Sequence, residues 1–168
     1  VYYKLFYEHQ DGFQGIRNVF TIHNIQYQGK YGMEILETVL GIDKNQASVI
    51  ECDHCVNFMK GAIQLADKVT TVSPSYANEI LTPWYSHGLD SILNDNQYKL
   101  CGILNGIDNT RFEPREGDGI YAAFSEKDIS GKLENKKMLL EEMGLPDDGS
   151  PLLSMVTRLV EHKGLDLV

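Results

Sequence analysis

An α/β fold organised around a parallel sheet is predicted by three observations. Short, nearly unbroken apolar runs recur along the chain at residues 18–23, 69–72, 101–104 and 152–156. Segments with helical spacing lie between them, and polar turns containing Gly, Pro or Asn punctuate the junctions. Alternating helices with strands apolar on both faces is the pattern of parallel sheets covered by helices.

The first run, Asn-Val-Phe-Thr-Ile-His at 18–23, is β-branched and aromatic, which suits a buried strand. Asn24 then opens a polar loop broken by Gly29 and Gly32. Val56, Met59, Ile63 and Ala66 recur at helical spacing and predict an amphipathic helix over 56–66. Val69-Thr70-Thr71-Val72 is a second strand. Ser73-Pro74 follows: Ser is a preferred N-cap, and Pro at the first helical position loses no hydrogen bond, so a helix is expected over 74–80, closed before Pro83-Trp84.

A third strand at 101–104 is closed by the turn dipeptide Asn105-Gly106. Residues 109–120 carry Pro114, Gly117 and Gly119 among charges with no period, the composition of an inter-domain connection. Leu133, Lys136, Lys137 and Leu140, with Leu139 and Met143, predict a helix ended by Gly144 as its C′ residue. A fourth strand is expected at 152–156, then a polar turn and a new helix from about Lys163.

The chain has 168 residues, enough to bury a core, and 42% hydrophobic against 23% charged residues excludes a disordered polymer. A net charge of -9 argues against nucleic-acid or anionic-membrane partners, which need a basic surface. No apolar run has the length of a membrane helix, and no signal peptide is recognisable. Cys52, Cys55 and Cys101 are an odd set, suited to free thiols in a reducing compartment; a cytoplasmic location is the expectation. The chain opens Val1-Tyr2-Tyr3 without Met and stops within an expected helix, so it is read as an internal fragment.

Open parallel sheets receive ligands beyond the carboxyl ends of their strands. Two strand ends carry suitable groups. His23 and Asn24 follow the first strand, and Thr157-Arg158, with Lys163-Gly164 five residues later, follows the fourth. An Arg and a Lys beside a helix N-terminus suit a phosphate group. Each also has a plainer reading, a strand-end hydrogen-bonding histidine and two solvated cations. Cys52-Asp53-His54-Cys55 has a metal-like spacing, but a zinc site needs a fourth ligand and only the distant Cys101 is available. These four are read as helix-entry residues and no metal is expected. His87 is read as a loop histidine, His162 as exposed, and Tyr2, Tyr3 and Tyr7 as rings packed on the sheet.

Five blocks in order carry a resemblance that these signals alone do not. They are Val-Phe-Thr-Ile-His-Asn-Ile-Gln-Tyr-Gln-Gly at 19–29, Val-Asn-Phe-Met-Lys-Gly at 56–61 running on to Ala-Asp-Lys-Val-Thr-Thr-Val-Ser-Pro at 66–74, His-Gly-Leu-Asp at 87–90, Ile-Leu-Asn-Gly-Ile-Asp at 103–108, and Arg158-Leu159 with Lys-Gly-Leu-Asp at 163–166. Together they resemble bacterial glycogen synthases and plant starch synthases of the ADP-glucose type. The resemblance implies a B-type glycosyltransferase, two Rossmann-like domains facing across a cleft. Residues 1–108 would be the later part of the first domain, and 109–168 a linker and the start of the second, with neither complete.

The reaction implied is retaining transfer of glucose from ADP-glucose to the non-reducing end of an α-1,4-glucan, with no cofactor and no metal. The resemblance assigns catalytic roles to His23, Arg158 and Lys163, and substrate-binding roles to Asn24 and Asn105. Its partners would be the sugar nucleotide and the glucan, in the cytoplasm, or in a plastid for a plant or alga; it leaves the oligomeric state open. Another B-type glycosyltransferase and a non-catalytic truncated chain binding glucan or a partner are the alternatives. Two family elements, a Lys-Thr-Gly-Gly loop and a second-domain glutamate, have no counterpart in these 168 residues. The isolated polypeptide is therefore expected to transfer no glucose, a point checked by following incorporation of labelled glucose into glycogen.

Overall fold

The structure, a computed structural model, describes residues 1–115, 117 and 119–168. The chain divides into two compact units, Val1–Gly106 and Ile107–Val168.

The first unit holds six strands: β1 (Val19–Ile22), β2 (Lys30–Gly32), β3 (Glu51–Cys52), β4 (Cys55–Asn57), β5 (Lys68–Thr71) and β6 (Leu100–Gly102). Its α-helices are α1 (Ile35–Thr38), α2 (Phe58–Leu65), α3 (Pro74–Glu79) and α4 (Asp90–Asp95). β1, β5 and β6 form a parallel sheet with β5 in the middle, in a register that sets Ile22 opposite Thr71 and Thr71 opposite Gly102. Val69, Thr70 and Thr71 are all buried, as a central strand requires. Their hydroxyls are satisfied within the sheet, Thr71 donating to the Ile22 carbonyl at 2.8 Å and Thr70 meeting Thr21 at 2.8 Å. A Cβ on Gly102 would lie 2.0 Å from the Ser73 carbonyl oxygen, so only glycine lets β6 pass this close to the start of α3.

Two apolar clusters hold the unit together. Ile22, Ile25, Met59, Ile63, Val69, Ile80, Leu89 and Leu93 join the parallel sheet to α2, α3 and α4. Burying each such side chain contributes about 1.5–3 kcal/mol. Leu36, Ile42, Ile50 and Val56 form the second cluster, under an antiparallel sheet of order β2-β4-β3. Leu5 and Phe6, on a π-helical turn at Tyr3–Tyr7, pack against that second cluster. Of the tyrosines expected to pack on the sheet, Tyr2 and Tyr7 are exposed, and Tyr3 donates to the Phe13 carbonyl at 2.7 Å.

Helix ends follow the residues that cap them. Ser73 accepts from the Tyr76 N–H at 2.9 Å, with Pro74 in the first turn, as the sequence predicts. The helix expected from Val56 begins instead at Phe58, because Asn57 caps it by accepting from the Lys60 N–H at 3.0 Å; Val56 belongs to β4. At the other end of α2, buried Lys99 donates to the Gln64 and Ala66 carbonyls, each at 2.8 Å, where a cation complements the helix dipole.

Residues 52–55 do not enter a helix. They turn a hairpin between β3 and β4, with Asp53 and His54 both left-handed at φ 52° and 61°, the geometry of a two-residue hairpin loop.

In the second unit, α5 (Asn109–Phe112) stands where an aperiodic connection is predicted, because Asp108 caps it through the N–H groups of Thr110 and Arg111. The helix α6 (Gly131–Met143) ends at Gly144, φ 66°, as its sequence requires. Asn135 of α6 ties down the preceding segment, accepting from the Tyr121 N–H at 2.9 Å and donating to the Ala122 carbonyl at 2.6 Å.

The strand expected at 152–156 is not formed. Leu153 and Val156 are 88% and 100% exposed, and among the described residues this unit holds no other strand to supply a ladder. The helix expected from Lys163 is likewise two short 3₁₀ turns, Glu161–Lys163 and Leu165–Leu167, separated by Gly164 at φ 67°. The His162 side chain lies outside the described residues. Among those residues no helix is long and apolar enough to cross a membrane.

The edge where β5 begins is organised by Asp67. Its carboxylate accepts from the Asn18 N–H at 2.8 Å and from Lys4 and Arg17, each at 3.2 Å. The Asn18 bond leads in lowering its pKa from 3.8 to about 2, with the two cations adding to it. A carboxylate with a depressed folded pKa binds fewer protons folded than unfolded, so its contribution is complete above about pH 4 and disappears as pH falls through about 2. Urea unfolding between pH 5 and 2 should show a weaker loss of stability with acid for Asp67→Asn than for the unaltered chain.

Candidate functional site

Because β1, β5 and β6 are parallel and in register, their carboxyl ends share one edge of the sheet. His23 and Asn24 continue from β1, Ser73 lies two residues beyond β5, and Asn105 three beyond β6. The fold thus gathers His23, Asn24 and Asn105, three of the residues singled out from sequence, at the edge where open α/β sheets receive ligands. The side chains of His23 and Asn105 are exposed, and Asn24 is half-buried.

The backbone under His23 is held on both sides. Ile22 before it is fully buried, and Ile25 two residues after it is 2% exposed. The Asn24 carboxamide accepts from the Gln26 N–H at 2.9 Å, closing a local turn. The Ile25 N–H donates to the Tyr76 hydroxyl at 3.2 Å, so the Ser73 cap of α3 reaches the β1 loop through Tyr76.

Gln28 completes the support. It is 4% exposed, accepts from the Asn57 carboxamide at 2.7 Å, and donates to the His87 carbonyl at 3.0 Å. Asn57, fully buried, uses its carbonyl oxygen to cap α2. The Phe58 and Met59 N–H groups donate to the Gly29 and Gln28 carbonyls at 3.2 and 3.0 Å. His87 itself sits at φ 51°, its carbonyl turned to Gln28. Three separate stretches of chain, 24–29, 57–60 and 86–88, therefore converge on one satisfied amide network.

Sequence reasoning assigned no role to Gln28, Asn57 or Tyr76. Asn57 had a readable signal, since Asn directly before an apolar helical run is an N-cap pattern. The partner of Gln28 had none, because a side-chain amide reaching a carbonyl 59 residues away leaves no local mark.

Arg158 and Lys163 lie in the second unit, both exposed. Among the described residues neither forms an ion pair. The backbone between them is held by the Val160 N–H on the Arg158 carbonyl and the Lys163 N–H on the Val160 carbonyl, each at 3.0 Å. With a 3₁₀ turn at Glu161–Lys163 and no α-helix, the expected helix N-terminus is absent here. Among the described residues no group of three or more His, Cys, Asp or Glu is arranged to hold a metal ion.

Fold and edge together define an open-sheet α/β protein whose polar loop residues gather at the carboxyl ends of its strands. Comparison with known proteins narrows this class. Residues 1–95 match the family described as the starch synthase catalytic domain. The chain is 45% identical over 159 residues to the glycogen synthase of Bacillus subtilis (strain 168), and 43% over 159 residues to that of Streptococcus agalactiae serotype III (strain NEM316). In both cases the match takes in 93% of this chain and 33% of the relative. The solved catalytic domain of starch synthase IV from Arabidopsis thaliana, bound to ADP and acarbose, superposes with a TM-score of 0.85 at 39% identity, over 99% of this chain and 35% of that one. This chain belongs to the starch synthase catalytic-domain family. It spans about a third of the length of these relatives.

Removing either member of the amide network leaves the other unpaired and buried, at about 1–3 kcal/mol each. Gln28→Leu and Asn57→Leu should each destabilise the chain in urea. The double variant should lose less than the sum of the two, with a coupling of about 0.5–3 kcal/mol for such a contact.

Proposed function

We propose that the protein to which this chain belongs transfers glucose from ADP-glucose to the non-reducing end of an α-1,4-glucan, with retention of configuration. Family membership supports this reading, and so does likeness to a starch synthase bound to ADP and acarbose. The structural observation that carries it is the shared parallel edge, with His23 and Asn24 on a braced loop beyond β1 and Asn105 beyond β6.

In this reading residues 1–108 are the later part of the first domain of a B-type glycosyltransferase, and 109–168 a linker with the start of the second. His23 lies against the donor glucose, orienting it and stabilising charge at the reacting centre. Asn24 and Asn105 bind substrate. Arg158 and Lys163 neutralise negative charge growing on the departing diphosphate, the term in which preorganised cations contribute most. Neither cation is committed to a carboxylate among the described residues, which leaves their charge for the ligand. The reaction needs no metal or cofactor, since the leaving diphosphate is stabilised by side chains. The partners are then the sugar nucleotide and the glucan, in a cytoplasmic setting.

The full-length protein should incorporate glucose into glycogen, faster with ADP-glucose than with UDP-glucose. Arg158→Ala should lower kcat by about 100-fold or more, several kcal/mol of transition-state stabilisation. A rate within about threefold of the unaltered enzyme would exclude the diphosphate role.

A further inference from the structure

The hairpin between β3 and β4 carries chemistry that glucosyl transfer does not use. Its register places Cys52 directly opposite Cys55. Opposed residues of an antiparallel pair have Cα atoms about 4.5–5.5 Å apart. That separation falls inside the roughly 4.4–6.8 Å spanned by disulfides. The Cys55 thiol is already turned toward the facing strand, donating to the Cys52 carbonyl at 2.9 Å. Between them Asp53 and His54 hold the left-handed turn that fixes this opposition, and both residue types tolerate that conformation better than most.

Both thiols are free and half-buried, and so reachable by a small reagent. The third cysteine, exposed Cys101, sits opposite Thr70 in the other sheet. Burial, followed by the charge of Asp53, pushes the Cys52 thiol up, which favours its protonated form.

We propose that Cys52 and Cys55 form a redox-active dithiol site that closes to an intramolecular disulfide by exchange with a low-molecular-weight disulfide such as oxidised glutathione. The Cys55 sulfur, as thiolate, attacks one sulfur of the glutathione disulfide, forming a mixed disulfide and expelling one glutathione thiolate. Cys52 then gives up its proton and attacks the Cys55 sulfur, expelling the second glutathione. Two protein S–H bonds and one external S–S bond become one protein S–S bond and two glutathione thiols. The protein pair loses two electrons and the glutathione disulfide gains them. Closure ties β3 to β4 two residues before Asn57, so the redox state of the hairpin is written next to the cap of α2 and the Gln28 network.

The experiment equilibrates the full-length protein in buffers of stepped reduced-to-oxidised glutathione ratio, traps remaining thiols by alkylation under acid quench, and maps peptides by mass spectrometry. The expected result is loss of two hydrogen masses in the peptide carrying Cys52 and Cys55, while Cys101 appears alkylated or singly glutathionylated. Cys101→Ser should leave the midpoint unchanged. Cys55→Ser should never lose two hydrogens. Glutathione adducts on Cys52 and Cys55 without an internal bond at every ratio would overturn the proposal. So would a bond that recruits Cys101, or reaction confined to Cys101. The decisive arm uses the unaltered chain, so a variant that folds poorly does not blunt it.

Discussion

The buried amide pair of Gln28 and Asn57 is the contact on which the rest of the first unit depends. An amide without a partner in that position would be unaffordable in an apolar interior, so once Asn57 is placed at the start of α2, Gln28 has one satisfactory place to go. Gln28 in turn fixes the turn at His87 and the end of the loop that begins at His23. The pair is thus less a source of net stability than a registration device. It sets the loop against α2, and the larger apolar cluster supplies the energy that keeps α2 where it is.

This division explains how an exposed histidine acquires a defined position. The His23 side chain is exposed, but its backbone is clamped between buried Ile22 and buried Ile25, and the Tyr76 hydroxyl holds the Ile25 N–H. In the proposed role, a side chain on such a rigid backbone would approach a ligand with little left to order, the general condition for preorganised electrostatics. Arg158 and Lys163 stand in a different local setting. Their segment is joined by local backbone hydrogen bonds and broken by left-handed Gly164, and among the described residues of this unit no strand is formed.

The places where local reading failed share a cause. Val56 fits a helical period, yet the cap belongs to Asn57 and Val56 pairs with Tyr31 and Glu51 in a sheet. A period of apolar residues cannot tell the last strand residue from the first helical one when both point into a core. Residues 52–55 lack the Asn-Gly or Asp-Gly dipeptide that marks a hairpin, so their turn was invisible until the strands on either side had partners. The run at 152–156 has the composition of a strand and remains unpaired, because composition describes a preference and a ladder needs a second strand.

The sequence by itself determined the class of fold, the three parallel strands, the Ser73-Pro74 helix start and the Gly144 helix stop, because each rests on a local pattern whose physics acts within a few residues. It also singled out His23, Asn24, Asn105, Arg158 and Lys163, through strand ends and ordered motifs. Only the tertiary structure decided that β5 lies between β1 and β6, and hence that His23 and Asn105, 82 positions apart in the chain, belong to one edge. It alone joined Gln28 to Asn57 and His87, and set Cys52 facing Cys55. Strand order, register and buried amide partners are relations between distant segments, settled by which pairings bury apolar faces and pair buried polar groups together, and no local stretch of sequence contains that condition.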